Sequence, residues 1–378
     1  MNCEGGPGTK IETGSTVQIG NSSFTGCYNY EGGGLWSTDS VVNVSDTVFA
    51  NNDASWGGGA NVDNGSFDNC IFYNNTGYAS AGLQTYGDVT VANSVFINNN
   101  PWGIGGSATV TDSIFSLSWG MAACEGAIIE RSLFAGSSVR SVENSTIRDS
   151  VFAGLGYWCG YAGVEEFACG LSSGISPIVE NVTLGDGIIY ADEGCSPIVR
   201  GAIAWPEGIG AGADVMYSLA GSAYAGEGNL STDPLFVGFP ASTGLWSDVY
   251  WDEGLFQTEL TDETASWAPG DLAGSFVDLD PGSYMDRMAV IADNTETTIW
   301  AWGNTMAYTE PGNSYEILDL HLQPGSPAID AGYGLGASAF DVEGKARWDD
   351  PDAGNAYDCG ADTDCVEYAD MGAYERQP

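Results

Sequence analysis

The segments DTVFANN at residues 46–52, NCIFYNN at 69–75 and NSVFINN at 93–99 decide the fold, because they are copies of one unit. The unit recurs as NSSFTG at 21–26, DSIFSLS at 112–118, RSLFAGS at 131–137 and DSVFAGL at 149–155, always with Phe in the fourth place. Phe24, Phe49, Phe72, Phe96, Phe115, Phe134 and Phe152 thus follow one another at intervals of 25, 23, 24, 19, 19 and 18 residues. A period of about twenty residues belongs to stacked solenoid coils, whereas a propeller blade needs about 40. VVNVSDTVF (41–49) and DVTVANSVF (88–96) alternate with a period of two, which sends Val and Phe to one face and polar residues to the other. GGGLW (32–36), GGGANV (57–62), SAGLQTY (80–86) and GIGGSATV (103–110) place a second strand after a Gly-rich bend. Each coil therefore holds two or three short strands.

Strands that pair with their equivalents one coil away, about 4.8 Å along the axis, turn equivalent residues into columns. The seven phenylalanines are expected to form one internal aromatic stack. After them stand Asn51 and Asn52, Asn74 and Asn75, and Asn98 and Asn99. Asn tolerates left-handed backbone and its amide can bond the next coil, so these pairs read as a structural ladder in a turn. Sequons at Asn43 and Asn74 leave N-glycosylation as the other reading.

Composition agrees with a turn-rich β protein: 54 residues are Gly, while 43% hydrophobic and 12% aromatic residues suffice for a continuous core. Nine Lys and Arg against 51 Asp and Glu give a net charge of -42, which repels phosphate backbones and excludes a nucleic-acid partner. Such acidity suits either high salt or neutralisation by divalent cations. No run of eighteen apolar residues is present, so no membrane-spanning helix is expected, and the start at Met1 lacks the basic and apolar regions of a signal peptide. The turn-rich opening fits a mature form or an excised domain of an extracellular or cell-surface protein. Nine Cys leave at least one unpaired; spacing suggests local disulfides for Cys359 with Cys365 and for Cys159 with Cys169. With one His and no CxxC, a zinc site is not expected, nor is an organic cofactor.

The repeat drifts into ISPIVENVTLGDGIIYADEG (175–194) and CSPIVRGAIAWPEG (195–208), followed by YSLAGSAYAGEGNLSTDPLFVG (217–238), DLHLQPGSPAIDAG (319–332), DVEGKAR (341–347) and ADMGAYE (369–375). On these segments the chain resembles bacterial right-handed β-helix proteins of the pectate-lyase-like superfamily, including their polymorphic-membrane-protein-like members. The resemblance implies an all-β, single-stranded right-handed parallel β-helix whose last four segments, from YSLAGSAYAGEGNLSTDPLFVG on, close the structure. The expected division is coils over 1–239, a β-rich insertion over 240–312 covering the last coil, and a closing coil with a C-terminal cap over 313–378. Motifs of this kind identify architecture better than activity.

Asp330, Asp341, Arg347, Asp370 and Glu375 lie within the closing motifs, and a bidentate pairing of Arg347 with Asp330 or Asp370 is the expected anchor of the tail. Asp349, Asp350, Asp352, Asp358, Asp362 and Asp364 offer hard oxygens for calcium without EF-hand spacing; a solvated acidic loop is the other reading. Tyr28, Trp56, Tyr78, Trp102, Trp119 and Trp158 each follow a repeat Phe by four to seven residues. They suggest an outer aromatic column that presents rings to a polysaccharide, or rings folded over the bends. Superfamily members include pectate lyases and polygalacturonases, so a polysaccharide lyase or glycoside hydrolase is the catalytic alternative. A lyase needs a base beside carboxylates, and Arg131, Arg140, Arg148 and Arg200 are the repeat-region candidates. His321 lies in a closing motif and reads as a packed structural His, while Ser326 lacks a nucleophile-elbow context. The leading expectation is a non-catalytic adhesin, matrix protein or assembly subunit whose partners are polysaccharide or other surface proteins.

Overall fold

A computed structural model describes the chain except for residues 1–2, 4–5, 7, 119, 124–125, 141–144, 155–161, 168–176, 186, 192–195, 207, 239–241, 282–286, 336 and 361–364. Among the described residues, three parallel sheets of nine, ten and ten strands wind into a right-handed parallel β-helix. In the first sheet Ile11, Leu35, Ala60, Leu83, Ile104 and Met121 face inward; in the second, Val42, Val44, Phe67, Val91, Val110 and Ile129 do so. The third sheet carries the repeat Phe in strict register from Phe24 to Phe152, and the column continues through Leu184, Ala204 and Ala220. Adjacent rings stack with centroids 5.1, 4.8, 4.6, 4.8, 4.5 and 4.5 Å apart. These separations match the rung spacing, so the chain's own period sets ring on ring.

Two polar ladders fix the turns. Asn51, Asn74 and Asn98 adopt left-handed φ of 55°, 48° and 52°, and Asn74 Nδ2 donates to Asn51 Oδ1 at 2.7 Å on the surface. The residue that follows each is the buried one. Asn52 and Asn75 accept at Oδ1 from the backbone N–H of the preceding coil, at 3.0 Å each, and Asn99 does so at 3.2 Å. Their Nδ2 groups donate to the carbonyls of Phe24, Phe49 and Phe72. Ser118 continues the column with a hydroxyl in place of an amide. Between the second and third sheets, Thr47, Ser94, Ser113, Ser132 and Ser150 each accept from the N–H of the preceding coil. Both ladders satisfy buried turn amides that no sheet reaches. The Gly-rich bends stack so closely that a Cβ on Gly33 would lie 2.4 Å from Gly58 O, and one on Gly58 2.2 Å from Thr76 O.

The insertion forms a seven-stranded antiparallel sheet in the order Ser242–Leu245, Ser314–Leu318, Phe276–Asp278, Met288–Asn294, Thr298–Trp302, Gln257–Thr261, Asp248–Asp252. Two expectations are corrected here. The sheet takes in Ser314–Leu318, so a boundary between 312 and 313 severs a strand from its sheet. It also lies against the flank of the helix, where Ser116 Oγ donates to Trp302 O at 2.7 Å and Tyr73 stacks on Trp251 at 5.5 Å. The reason is the outer face of the third sheet. Tyr73, Val95, Ile97, Ala135, Val151, Ala153, Ile203 and Leu219 project away from the Phe column and need cover of their own. The closing segment covers the C-terminal part of that face: Gly372 N donates to Gly201 O and Ala373 N to Thr183 Oγ1.

Candidate functional site

The turn beyond the Asn ladder carries a small parallel sheet of Tyr28–Glu31, Asp53–Trp56 and Thr76–Gly77, extended by a bridge from Thr76 to Asn100. Strand alternation in the YNYE segment sends Tyr28 and Tyr30 to solvent on one face, 59% and 68% exposed. Tyr28, Asp53, Thr76 and Asn100 occupy one column. Tyr78, the most open ring of the three at 85% exposure, directly follows the last strand and donates its N–H to Ser55 O at 3.1 Å. Three tyrosines therefore stand on a surface about 10 Å long, two rung spacings.

At its Asn100 end this surface meets the flanking sheet in a cleft of about 390 Å³. Asn74, Asn98 and Asn100 line it from the helix; Arg287 and Tyr308 line it from the opposite wall, with the guanidinium 4.8 Å from the ring centre. Among the described residues that line it there is no carboxylate, in a chain of net charge -42. Asn98 Oδ1 is enclosed there without a hydrogen-bond partner.

The expected single aromatic column is corrected. Tyr28 pairs with Asp53, whereas Trp56 pairs with Glu31, three residues further along the strand. The variable offset from Phe thus places the rings at different strand positions. Trp56 and Trp102 are half-buried over the bends, and the Trp102 carbonyl accepts from Ala81 N. Trp119 and Trp158 lie outside the described residues. Tyr30, Arg287 and Tyr308 were not among the sequence candidates. The alternation YNYE marks Tyr30, but nothing local brings residues 287 and 308 to the turn.

Three of the four repeat-region arginines are committed to carboxylates. Arg131 grips Asp112 through Nε and Nη2, both at 2.8 Å; Arg148 Nε reaches Glu180 at 2.7 Å and Arg200 Nη2 reaches Asp214 at 2.6 Å. Glu130, Arg148, Glu180 and Arg200 succeed one another in register on the second sheet's outer face, an alternating cross-strand ladder. The Arg140 side chain lies outside the described residues.

Arg347 does not form the expected pair with Asp330 or Asp370. Its Nη2 donates to Asp149 Oδ1 and its Nη1 to Glu375 Oε2, each at 2.8 Å, in a fully buried junction. The DMGAYE motif turns Glu375 toward the guanidinium, while Asp370 instead accepts from Asp330 N and Arg376 N. Burial pushes the Asp149 carboxyl up to about 6, with Arg347 opposing.

The acidic loop has two readings, a calcium site or a solvated loop. Asp350 pairs with Arg376 and accepts Asp352 N, and Asp358 accepts Gly360 N within its own turn. Asp349, Asp352 and Asp358 are exposed and form no metal-ligating group among the described residues, and Asp362 and Asp364 lie outside them. Cys359 and Cys365 form a disulfide; Cys159 and Cys169 lie outside the described residues. A second disulfide, Cys3 to Cys27, joins positions 24 residues apart, about one coil. Cys70 is a buried free thiol pushed up to about 11 by burial.

Ser326 Oγ donates to Pro234 O at 2.6 Å and holds the closing segment. His321 is clamped between Asp319, 2.6 Å from Nδ1, and Glu343, 3.0 Å from Nε2, with its ring on Tyr374. Burial opposes its charge, but the two carboxylates outweigh this and raise its pKa from 6.5 to about 9. A raised His value stabilises the fold fully below about pH 6.5, and that contribution, on the order of 3 kcal/mol, disappears as pH climbs through about 9. The melting-temperature gap between wild type and His321→Gln should therefore close between pH 7 and 10; a gap that stays constant would exclude the imidazolium as its source.

No family model and no curated protein matches the chain. Among solved structures, it is similar to the pectate lyase Pel9A at 14% identity and a TM-score of 0.36, over 97% of this chain and 87% of that one. It is also similar to a mutant tailspike protein of E. coli bacteriophage HK620 in complex with a hexasaccharide, at 10% identity and a TM-score of 0.19, over 83% of this chain and 74% of that one.

Proposed function

We propose that the chain is a non-catalytic β-helix scaffold of an extracellular or cell surface, an adhesin, matrix protein or assembly subunit that binds polysaccharide. The observation that carries this reading is the run from Tyr28, Tyr30 and Tyr78 into the amide-lined cleft. Exposed rings offer flat apolar surfaces to sugar rings, and Asn side chains offer both donors and acceptors to hydroxyls. The described lining residues carry no carboxylate, so they present a glycan with none of the charge that dominates the rest of the sequence. A lyase would draw its base from the arginine column, where Arg148 is flanked in register by Glu130 and Glu180. Its Nε already lies 2.7 Å from Glu180 Oε2 in an ion pair, so the ladder accounts for this column without chemistry.

A glycan array with the full chain tests the reading. On a retained polysaccharide, Tyr78→Ala and Tyr28→Ala should each weaken binding by about tenfold, the loss of one stacking contact of 1–2 kcal/mol. Tyr250→Ala, at an exposed ring of the flanking sheet, should leave affinity unchanged. Equal effects from all three variants would contradict the assignment of the face.

A further inference from the structure

The junction that ties the closing segment to the helix holds more carboxylates than cations. Asp330, Asp370 and Glu375 are all buried, and one oxygen from each lies within 4.8 Å of the others. Arg347 divides itself between Glu375 and Asp149, and Arg376 makes its ion pair with Asp350. The remaining acceptors are mostly served by backbone: Trp348 N on Glu375, Asp330 N and Arg376 N on Asp370, and Asp350 N on Asp330 Oδ2. One atom stands apart. Asp330 is 0% exposed, and its Oδ1 has no hydrogen-bond partner.

An enclosed carboxylate oxygen without a donor is a costly arrangement unless something positive sits against it. Oxygens that share one calcium ion at about 2.4 Å can be at most about 4.8 Å apart, the limit that these three groups meet. Three carboxylates are hard ligands of the kind that select Ca²⁺ over softer metals. We propose that Asp330, Asp370 and Glu375 hold a divalent cation, calcium by ligand chemistry, which staples the SPAIDAG and DMGAYE motifs to each other. The site is separate from the tyrosine face and stands or falls independently of glycan binding.

Calcium titrated calorimetrically into the EDTA-dialysed full chain, with melting followed in EDTA and in excess Ca²⁺, tests this. Wild type should melt several degrees higher in Ca²⁺. Asp330→Asn should lose that rise, while Asp358→Asn, at an exposed acid of the neighbouring loop, should keep it. Should Asp330→Asn fail to fold, terbium luminescence provides a second readout, with Trp348 as sensitiser, because its N–H donates to Glu375 and its ring lies against Arg376, whose N–H donates to Asp370. Trp348→Phe leaves all three carboxylates in place and should markedly lower the terbium signal. An unchanged melting temperature in Ca²⁺ would show that the cluster holds a proton instead and would overturn the proposal. So would a calcium response retained in Asp330→Asn, or a terbium signal indifferent to Trp348→Phe.

Discussion

Arg347→Met lowers stability by about 3–5 kcal/mol and releases the closing segment from the helix. The substitution keeps much of the apolar stem but removes the one guanidinium that contacts Asp149 and Glu375, both buried with it. Breaking a buried pair from one side costs that much because the remaining charges stay desolvated without compensation. The contact spans 198 residues of sequence, so it joins the turn between the second and third sheets directly to the tail. Urea unfolding should show the loss, and hydrogen exchange should show early exposure of residues 369–375. The penalty should shrink toward pH 5, because Asp149, already pushed up to about 6 by burial, then takes a proton in the variant. Unaltered protection of the tail would mean that its apolar contacts alone hold it.

Phe115→Ala costs a similar 3–5 kcal/mol, the range for an aromatic residue removed from a packed core. Its ring lies between Phe96 at 4.8 Å and Phe134 at 4.5 Å, and all three are fully buried. The cavity cannot collapse easily, since the backbones on either side are fixed by the ladders at Ser113 and Ser118. Phe24→Ala removes the same side chain at the end of the column, where one neighbouring ring stacks on it at 5.1 Å and the residue is 5% exposed. In a solenoid, stability is close to a sum of neighbour terms, so the central substitution should cost clearly more than the terminal one. Equal losses would contradict the column as a cooperative stack.

The coil architecture was legible because a repeat of 18 to 25 residues marks seven successive rungs with Phe at one position, most with Asn or Ser after it and Gly-rich bends between several of them. The ladder was half legible. Both Asn residues of each pair were evident, but their division of labour needs backbone geometry, since the first takes the left-handed turn and the second the buried amide. The flanking sheet had an unread signal. VFI (95–97), LFA (133–135) and VFA (151–153) are apolar on both faces, a pattern that demands cover on the side away from the core.

Other features lie beyond local pattern. The Cys3 to Cys27 disulfide follows from the coil period only once the first rung is placed. Arg347 finds Asp149, Arg287 lines a cleft with Asn98, and Asp330 is enclosed with Glu375, all through contacts between distant segments. The aromatic residues mislead a reader who counts from Phe, because turns of unequal length move the same kind of ring to different strand positions. What survives of that expectation is a shorter face of three tyrosines, with a cleft at one end that the sequence does not show.

In the function proposed above, the tyrosine face binds glycan and the coils do no chemistry on it. Prolonged incubation of the full chain with a polysaccharide it retains, followed by mass analysis of the sugar, tests that most directly. The retained polysaccharide should keep its chain length; shortened chains, or wild-type protein that retains no polysaccharide at all, would overturn the proposed function.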